Sequence, residues 1–350
     1  MNFDLLKRLC EAPGVAGYED AVRAIVIDEM RPLVDDMSVD ALGNVIGVKR
    51  GNGGPRVMLA AHMDEIGFLV NHIDENGFLR LQPVGGFDAR VLEAQRVIVH
   101  GTDGNQYRGA LQPAAKPIHL LDPADIKQVK VEELFVDIGL GGDRVREVVE
   151  QGSMVTMDRT TEVVGDCVMS KSLDDRVCVY IMIEALRQVS GTSAEIVAVA
   201  TTQEEVGLRG ARTAAYHVEP DISVALDGTN AADFPGSPKE LAVTKLGDGP
   251  AIKIFDSSHI SNRKLIRHFR DVAEEHGIAY QLELLPRGGT DAGAMQLSRA
   301  GTPAMTLSIP MRYVHSVNEM VHQGDLENSV TLLAKYLEAA GSRDYAYDQP

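Results

Sequence analysis

Residues 57–61 read VMLAA, and His62 follows them directly. The run comes after a turn-like segment, GNGGP, at residues 51–55. A continuous apolar run that follows a turn is typical of a strand buried on both faces of a mostly parallel sheet. The stretch therefore predicts an α/β fold, with His62 at the carboxyl end of a buried strand.

The sequence pattern changes twice after this strand. Between about residues 66 and 165 it consists of short β-rich segments, such as GFLVNHI, GFLRLQPV, RVIVHG and LFVDIG, separated by Gly, Asp and Asn. Helical periodicity returns at 174–189, and strands are predicted at 195–200 and 222–226. We expect a discontinuous catalytic domain formed by 1–66 and 165–350, interrupted by a β-rich domain at 67–164.

The bulk composition excludes several classes of partner. The chain has 350 residues, 44% of them hydrophobic, and contains no apolar run near the ~20 residues that a membrane span needs. Its net charge of -17 disfavours nucleic acid and anionic membrane surfaces. The first residues lack the pattern of an export signal, and three scattered cysteines suit a reducing compartment, so we expect a cytoplasmic protein.

Carboxylate and imidazole side chains recur where apolar strands end or helices begin. Because the carboxyl ends of strands form the ligand crevice of an open α/β sheet, such residues can converge. Two histidines and three carboxylates suit a hydrolytic site with two zinc or cobalt ions. The segments concerned are AAHMDE (60–65), SLDDR (172–176), TTQEEVG (201–207), ALDGT (225–229) and RYVHS (312–316).

Together with GGTDA at 288–292, these segments resemble, in the same order, the tetrahedral (TET) metallo-aminopeptidases. This is metallopeptidase family forty-two, which includes glutamyl and deblocking aminopeptidases, and the resemblance spans nearly the whole chain. Lys171-Ser172 stands where Lys-Ala is common, which exchanges one small residue for another. The resemblance implies the co-catalytic zinc-peptidase fold, a mostly parallel sheet flanked by helices, with the insert as a small β-barrel-like dimerisation domain.

The resemblance also implies which residues hold the metals. Asp174 would bridge two divalent ions, His62 and Asp227 would complete one site, and Glu205 and His315 would complete the other. Zinc and cobalt are the expected metals, with manganese as a further option, because ligands of this type follow the metal supply as much as intrinsic affinity.

The remaining site residues follow from chemistry and from the same resemblance. Glu204 is expected to be the general base, and Asp64 to complete the catalytic set by orienting the imidazole of His62. The loop with Gly289, Thr290 and Asp291 would border the substrate pocket. The predicted reaction is removal of the N-terminal residue from short peptides through a hydroxide that bridges the two metals.

Simpler interpretations exist for each residue taken alone. Asp227 before Gly228 is a common turn sequence, and acidic residues suit the first turn of a helix, which is our interpretation of Asp175. The alternative enzymes are a two-metal deacylase or carboxypeptidase acting on N-acyl amino acids and a metal-free glycosidase. The alternative outside the enzymes is a non-enzymatic assembly protein.

The family resemblance implies a homo-oligomer, commonly a dodecamer built from dimers. His119, in the insert, matches a family segment and is expected to serve packing or assembly. The preferred N-terminal residue of the substrate stays open, because the loops that shape its pocket give no side-chain direction in the sequence.

Overall fold

Helices and strands alternate around the apolar run at residues 57–61. The computed structural model describes residues 1–116, 118–120, 122, 128–238 and 242–347. Its α-helices are α1 (Phe3–Glu11), α2 (Asp20–Met30), α3 (Gly142–Val148), α4 (Leu173–Gln188), α5 (Arg209–Val218), α6 (Arg263–Glu275), α7 (Asp291–Gln296) and α8 (Gln323–Ala339). Within the described residues, no helix is both long and apolar enough to cross a membrane.

The strands form two separate sheets, a large open one and a barrel. In chain order they are β1 (Asp36–Val39), β2 (Val45–Lys49), β3 (Arg56–His62), β4 (Gly67–Ile73), β5 (Leu79–Val84), β6 (Arg96–His100), β7 (Gln106–Pro113), β8 (Leu134–Asp137), β9 (Met154–Met157), β10 (Glu162–Val164), β11 (Cys167–Ser170), β12 (Glu195–Thr201), β13 (Ile222–Asn230), β14 (Ala251–Phe255), β15 (Gln281–Leu284), β16 (Ala304–Arg312) and β17 (Glu319–His322).

The predicted buried strand, β3, lies in the interior of the large sheet. Among the described residues the sheet has 11 strands, in the order β1-β2-β12-β3-β13-β16-β17-β11-β10, with β14 and β15 attached beside β16. β3 is parallel to both β12 and β13, and β13 is parallel to β16. The other pairs of the sheet are antiparallel, except that β14 and β15 are parallel to each other. The α/β fold with a parallel centre, expected from the sequence, is confirmed.

Both faces of β3 are covered, which explains its unbroken apolar sequence. Val57 and Leu59 belong to the core formed with α1, α4 and α8. Met58 and Ala60 face the other way and pack in a second core with α5 and α7. Since successive side chains of a strand point to opposite faces, a strand between two helical layers needs apolar residues at every position.

The β-rich insert is a closed barrel with the strand order β4-β5-β8-β7-β6-β9. It has its own core, which includes Phe68, Leu79, Val97, Leu111 and Val136. The alternation of apolar and polar residues along these strands suits a barrel whose interior is filled by side chains. The expectation of a small barrel-like insert is confirmed.

The barrel ends earlier in the chain than the expected range of 67–164. Its last strand is β9, while β10 pairs with β11 at the edge of the large sheet. Residues 162–164 therefore pair with the large sheet and not with the barrel. The sequence could not show this, because short polar-rich strands lie on both sides of the junction and only their pairing partners differ.

Candidate metal centre

The predicted ligands come from five different places in the fold and meet at one edge of the sheet. His62 is the last residue of β3 and pairs in register with Thr201, the last residue of β12. Glu204 and Glu205 follow shortly after Thr201 in the loop before α5. The other contributors are Asp174 near the start of α4, Asp227 in β13 and His315 between β16 and β17.

His62 is held in one tautomer by its own loop. Its side chain is 2% exposed, and Nδ1 donates a hydrogen bond to the backbone carbonyl of Asp64 at 3.0 Å. Nε2 then carries the free lone pair that a metal ion requires. That nitrogen lies 3.2 Å from Oδ1 of Asp174.

His315 approaches the same aspartate from the opposite side. Its Nε2 lies 3.4 Å from Oδ2 of Asp174 and 3.1 Å from Oε1 of Glu205. The two oxygens of Asp174 therefore face two different imidazoles, one each. A carboxylate in this arrangement can bridge two metal ions, with one oxygen for each ion.

Two groups of potential ligand atoms share Asp174. In one, atoms of His62, Asp174 and Glu205 all lie within 4.8 Å of one another. In the other, the carboxylates of Asp174, Asp175 and Asp227 satisfy the same limit. Asp227 and Asp175 thus both lie close to Asp174.

The carboxylates of the site are crowded and largely removed from water. Burial, reinforced by the neighbouring Asp174, raises the pKa of Asp227 well above its usual value. Burial likewise raises the pKa values of Glu204 and Glu205. Divalent cations would offset this concentration of negative charge.

The imidazoles respond to the same carboxylates. Burial alone would lower the pKa of His315, but its contacts with Asp174 and Glu205 outweigh burial and raise the pKa to about 12. Among the described residues, Oδ1 of Asp174 is buried without a hydrogen-bond partner, although His62 lies near it. This unsatisfied oxygen and the mixed nitrogen and oxygen donors fit two divalent metal ions.

Asp64 fixes the loop that carries the two glutamates. Its Oδ1 accepts the backbone N–H of Glu204 at 2.9 Å and its Oδ2 accepts that of Glu205 at 3.1 Å. The carboxylate of Asp64 is 3.5 Å from Nδ1 of His62, farther than the backbone carbonyl that receives the proton. Asp64 therefore orients His62 through its main chain and the glutamates through its side chain.

The M42 glutamyl aminopeptidase family model matches residues 43–332. The chain belongs to this family. The lysyl aminopeptidase of Pyrococcus furiosus is 36% identical to it over 99% of this chain and 99% of its own.

Solved structures agree with this family membership. An aminopeptidase from the archaeon Desulfurococcus kamchatkensis superposes with a TM-score of 0.93 at 39% identity, covering 97% of this chain and 94% of that one. The TET1 peptidase of Pyrococcus horikoshii has a TM-score of 0.85 at 34% identity, covering 96% and 98%, and can assemble into a tetrahedron or a large octahedral shell. This M42 protein is accordingly a metal-dependent aminopeptidase.

An open cleft of about 490 Å³ lies over the centre of this M42 aminopeptidase. Gly289 lines the cleft. Thr290 and Asp291, which were expected to border the substrate pocket, are only 1% and 2% exposed and are buried behind Gly289. Oδ2 of Asp291 accepts a hydrogen bond from Thr201 at 2.6 Å. Of these three residues, the structure brings Gly289 to the wall of the cleft and uses the other two as support.

Asp175 does more than begin a helix. It is 0% exposed, and its Oδ2 accepts the backbone N–H of His62 at 3.2 Å. Neither Asp174 nor Asp175 has helical backbone angles, so the pair forms the entry to α4 and not a solvated first turn. The interpretation of Asp175 as a simple helix-start residue is wrong, because the strand end of β3 packs directly over it.

Two other buried acids of this M42 aminopeptidase escaped the sequence analysis. Glu65 lies 2.6 Å from the ammonium of Lys171 and accepts a hydrogen bond from the hydroxyl of Ser172 at 2.5 Å. Glu319, 2% exposed, accepts backbone N–H groups from Asp174 and His315. The signal that could have revealed Glu319 is an acid within a short apolar strand, EMVH, soon after a candidate ligand.

Proposed function

We propose that this chain removes the N-terminal residue of short peptides with two divalent metal ions held by five side chains. His62 and Asp227 would hold one ion, Glu205 and His315 the other, and Asp174 both. The observation that carries this proposal is the placement of the two Asp174 oxygens, which lie 3.2 Å and 3.4 Å from two separate imidazoles.

Glu204 is suited to be the general base of the reaction. When bound, two such ions polarise the scissile carbonyl and acidify the attacking water. Glu204 is positioned beside the ligands, with Oε2 3.9 Å from Nε2 of His62, and burial raises the pKa of its carboxyl well above the usual value. A base with a raised pKa can accept the proton of the water and return it to the departing amine.

The donor set leaves the choice among zinc, cobalt and manganese to experiment. Two imidazoles and three carboxylates suit zinc and cobalt, while carboxylate-rich sites also accept manganese. The Glu and Asp side chains that face the cleft provide negative charge for the free α-amine of a peptide. The relatives include a lysyl aminopeptidase within a glutamyl-named family, so we leave the preferred first residue open.

We also propose a homo-oligomer, with the dodecamer built from dimers as the expected form. The assembly of the TET1 peptidase of Pyrococcus horikoshii into closed shells supports this proposal, since its chain matches this one over 96% of the length. The barrel would supply the dimer contacts, because it is a separate closed sheet with its own core. Enclosure of the clefts within a shell would restrict substrates to short or unfolded peptides.

The test combines metal analysis with a substrate panel. Protein stripped of metal is titrated with zinc, cobalt or manganese and assayed on aminoacyl nitroanilides and on their N-acetylated counterparts. We expect two ions per chain and hydrolysis that requires both metal and a free amine. Equal cleavage of acetylated substrates would favour the deacylase, and chelator-insensitive release of reducing sugar would favour the glycosidase.

A further inference from the structure

The carboxylate of Glu319 joins two segments that carry predicted metal ligands. Its Oε2 accepts the backbone N–H of Asp174 at 3.0 Å, and its Oε1 accepts that of His315 at 2.8 Å. Asp174 and His315 are far apart in sequence and belong to different elements, the entry to α4 and the connection between β16 and β17. One buried side chain therefore fixes the main chain of both.

Both segments need such support because their backbones are unusual. His315 has φ 61° and Ser172, just before the entry to α4, has φ 57°. Left-handed angles are uncommon for residues with a side chain and persist where surrounding contacts hold them. The two oxygens of the buried Glu319 carboxyl each accept one of these backbone N–H groups, so the side chain acts as a clamp between the two segments.

The clamp has a counterpart on the other side of the centre. Asp64 accepts the backbone N–H groups of Glu204 and Glu205 in the same two-oxygen manner. Of the five predicted ligands, Glu205 is thus fixed by Asp64, while Asp174 and His315 are fixed by Glu319. Metal ligands must be held to within a few tenths of an ångström, so the alignment of Asp174 with His315 depends on this contact.

We propose that Glu319 is a positioning residue for the metal ion held by Asp174, Glu205 and His315. It touches neither ion nor substrate and acts by setting the distance between the bridging carboxylate and the His315 imidazole, now 3.4 Å at Oδ2. The inference rests on the proposed two-metal function. It predicts that one of the two ions is lost more readily when the clamp is weakened.

The experiment compares E319Q with a matched control, D325N. A glutamine at 319 offers one carbonyl oxygen and turns an amide donor toward the second N–H, so one of the two bonds is lost. Asp325 is also buried and also accepts two backbone N–H groups, from Gly247 and Gly249 at 2.7 Å and 2.8 Å, but none from a predicted ligand. Both variants lose a similar contact, and E319Q alone loses it at the centre.

Metal affinity is measured by titrating stripped protein with zinc and with cobalt, whose visible absorption reports the coordination of each site. We expect E319Q to bind one of the two ions about 10- to 100-fold more weakly, the range typical for partners of metal ligands, with a changed cobalt spectrum. D325N should keep both affinities and the spectrum. Excess metal should restore most of the activity of E319Q.

The role of Glu319 and the two-metal proposal can fail separately. Wild-type affinity and spectrum in E319Q, or equal weakening in D325N, would overturn the role of Glu319 while leaving the two-metal proposal intact. A wild-type chain that binds fewer than two ions would instead contradict the proposed function itself. If E319Q does not fold, Glu319→Asp is titrated in its place, and an unchanged affinity in that variant equally overturns the role.

Discussion

At the scale of single residues, Asp174 contacts three other residues of the site. Its two oxygens face His62 and His315, and its amide is held by Glu319. Its pKa is lowered because contacts with the two imidazoles outweigh burial, so its carboxylate stays ionised and available for cations. The chemistry of the centre is thus organised around one anion whose orientation is fixed from three directions.

Substitution can distinguish the proposed role of Glu204 as general base from the role of a metal ligand. Glu204→Gln keeps the shape of the side chain but removes its ability to accept a proton, so we expect kcat to fall by roughly 10²- to 10⁴-fold with metal content unchanged. The paired variant is Glu205→Gln, which removes a predicted ligand and should lower metal content as well. Steady-state kinetics and metal analysis of the same preparations check this, and an active E204Q would contradict the assignment.

His268 provides a pH test away from the metal centre. It is 2% exposed in α6, and Nδ1 lies 2.5 Å from the hydroxyl of Tyr345. Burial, with a further contribution from Arg343, lowers its pKa to about 4 against the opposing charge of Asp271. As the pH falls from ~6.5, the unfolded chain binds a proton that the folded chain excludes, so stability is lost down to about pH 4.

The corresponding variant is His268→Phe, which removes the titrating group. Between about pH 7 and pH 5 the wild-type chain should lose on the order of 2 kcal/mol of unfolding free energy more than H268F, since one pKa unit corresponds to ~1.4 kcal/mol. Urea denaturation at each pH measures the difference. Parallel pH profiles for the two proteins would show that His268 does not titrate in this way.

At the scale of secondary-structure elements, periodicity predicted the strand interiors well and their contacts poorly. The strand predicted from residues 57–61 is β3, Arg56–His62, and the helix predicted at 174–189 is α4, Leu173–Gln188. Apolar repeats report burial, which a single element can show in its own sequence. The pairing of β10 with β11 depends on a partner strand, and no local pattern encodes it.

The same limit applies to the candidate site. The segments that carry His62, Asp174 and Asp227 were identifiable because carboxylate and imidazole residues follow or interrupt apolar runs there, near the sheet edge where α/β folds place ligands. Two features could not be identified from the sequence: the burial of Asp291 and the clamp formed by Glu319. Both depend on how separate loops pack. Residue type thus indicated the chemistry, while the supporting contacts required the tertiary structure.

Gly210 tests how closely α5 must approach the loop that carries Glu204 and Glu205. A Cβ at this position would lie 2.4 Å from both Oδ1 of Asn44 and the backbone oxygen of Thr202. Because neither neighbour can move freely, Gly210→Ala should cost about 1–3 kcal/mol of stability and reduce activity by displacing the loop. Gly191→Ala, where nothing lies within 4 Å, is the control and should be close to neutral in urea denaturation.

At the scale of the whole molecule, the two sheets differ in how they can associate. The large sheet is open, with β1 and β10 at its ends, whereas the barrel closes on itself and has no free strand edge. Contacts through the described strands of the barrel are therefore expected to be made by side chains and not by strand pairing. In the described part of the insert, Leu120 is a large apolar side chain that remains 71% exposed.

Leu120→Asp therefore tests the proposal that the barrel supplies the dimer contact. Burying a carboxylate in an apolar interface is costly, so this variant should dissociate into smaller species than the wild type while keeping the fold of the 37.9 kDa chain. Leu297→Asp is the matched control, because Leu297 is 78% exposed on the catalytic domain. Light scattering after gel filtration measures both masses. Assembly that survives L120D but fails in L297D would move the contact to the catalytic domain, and the closed barrel would then need another role.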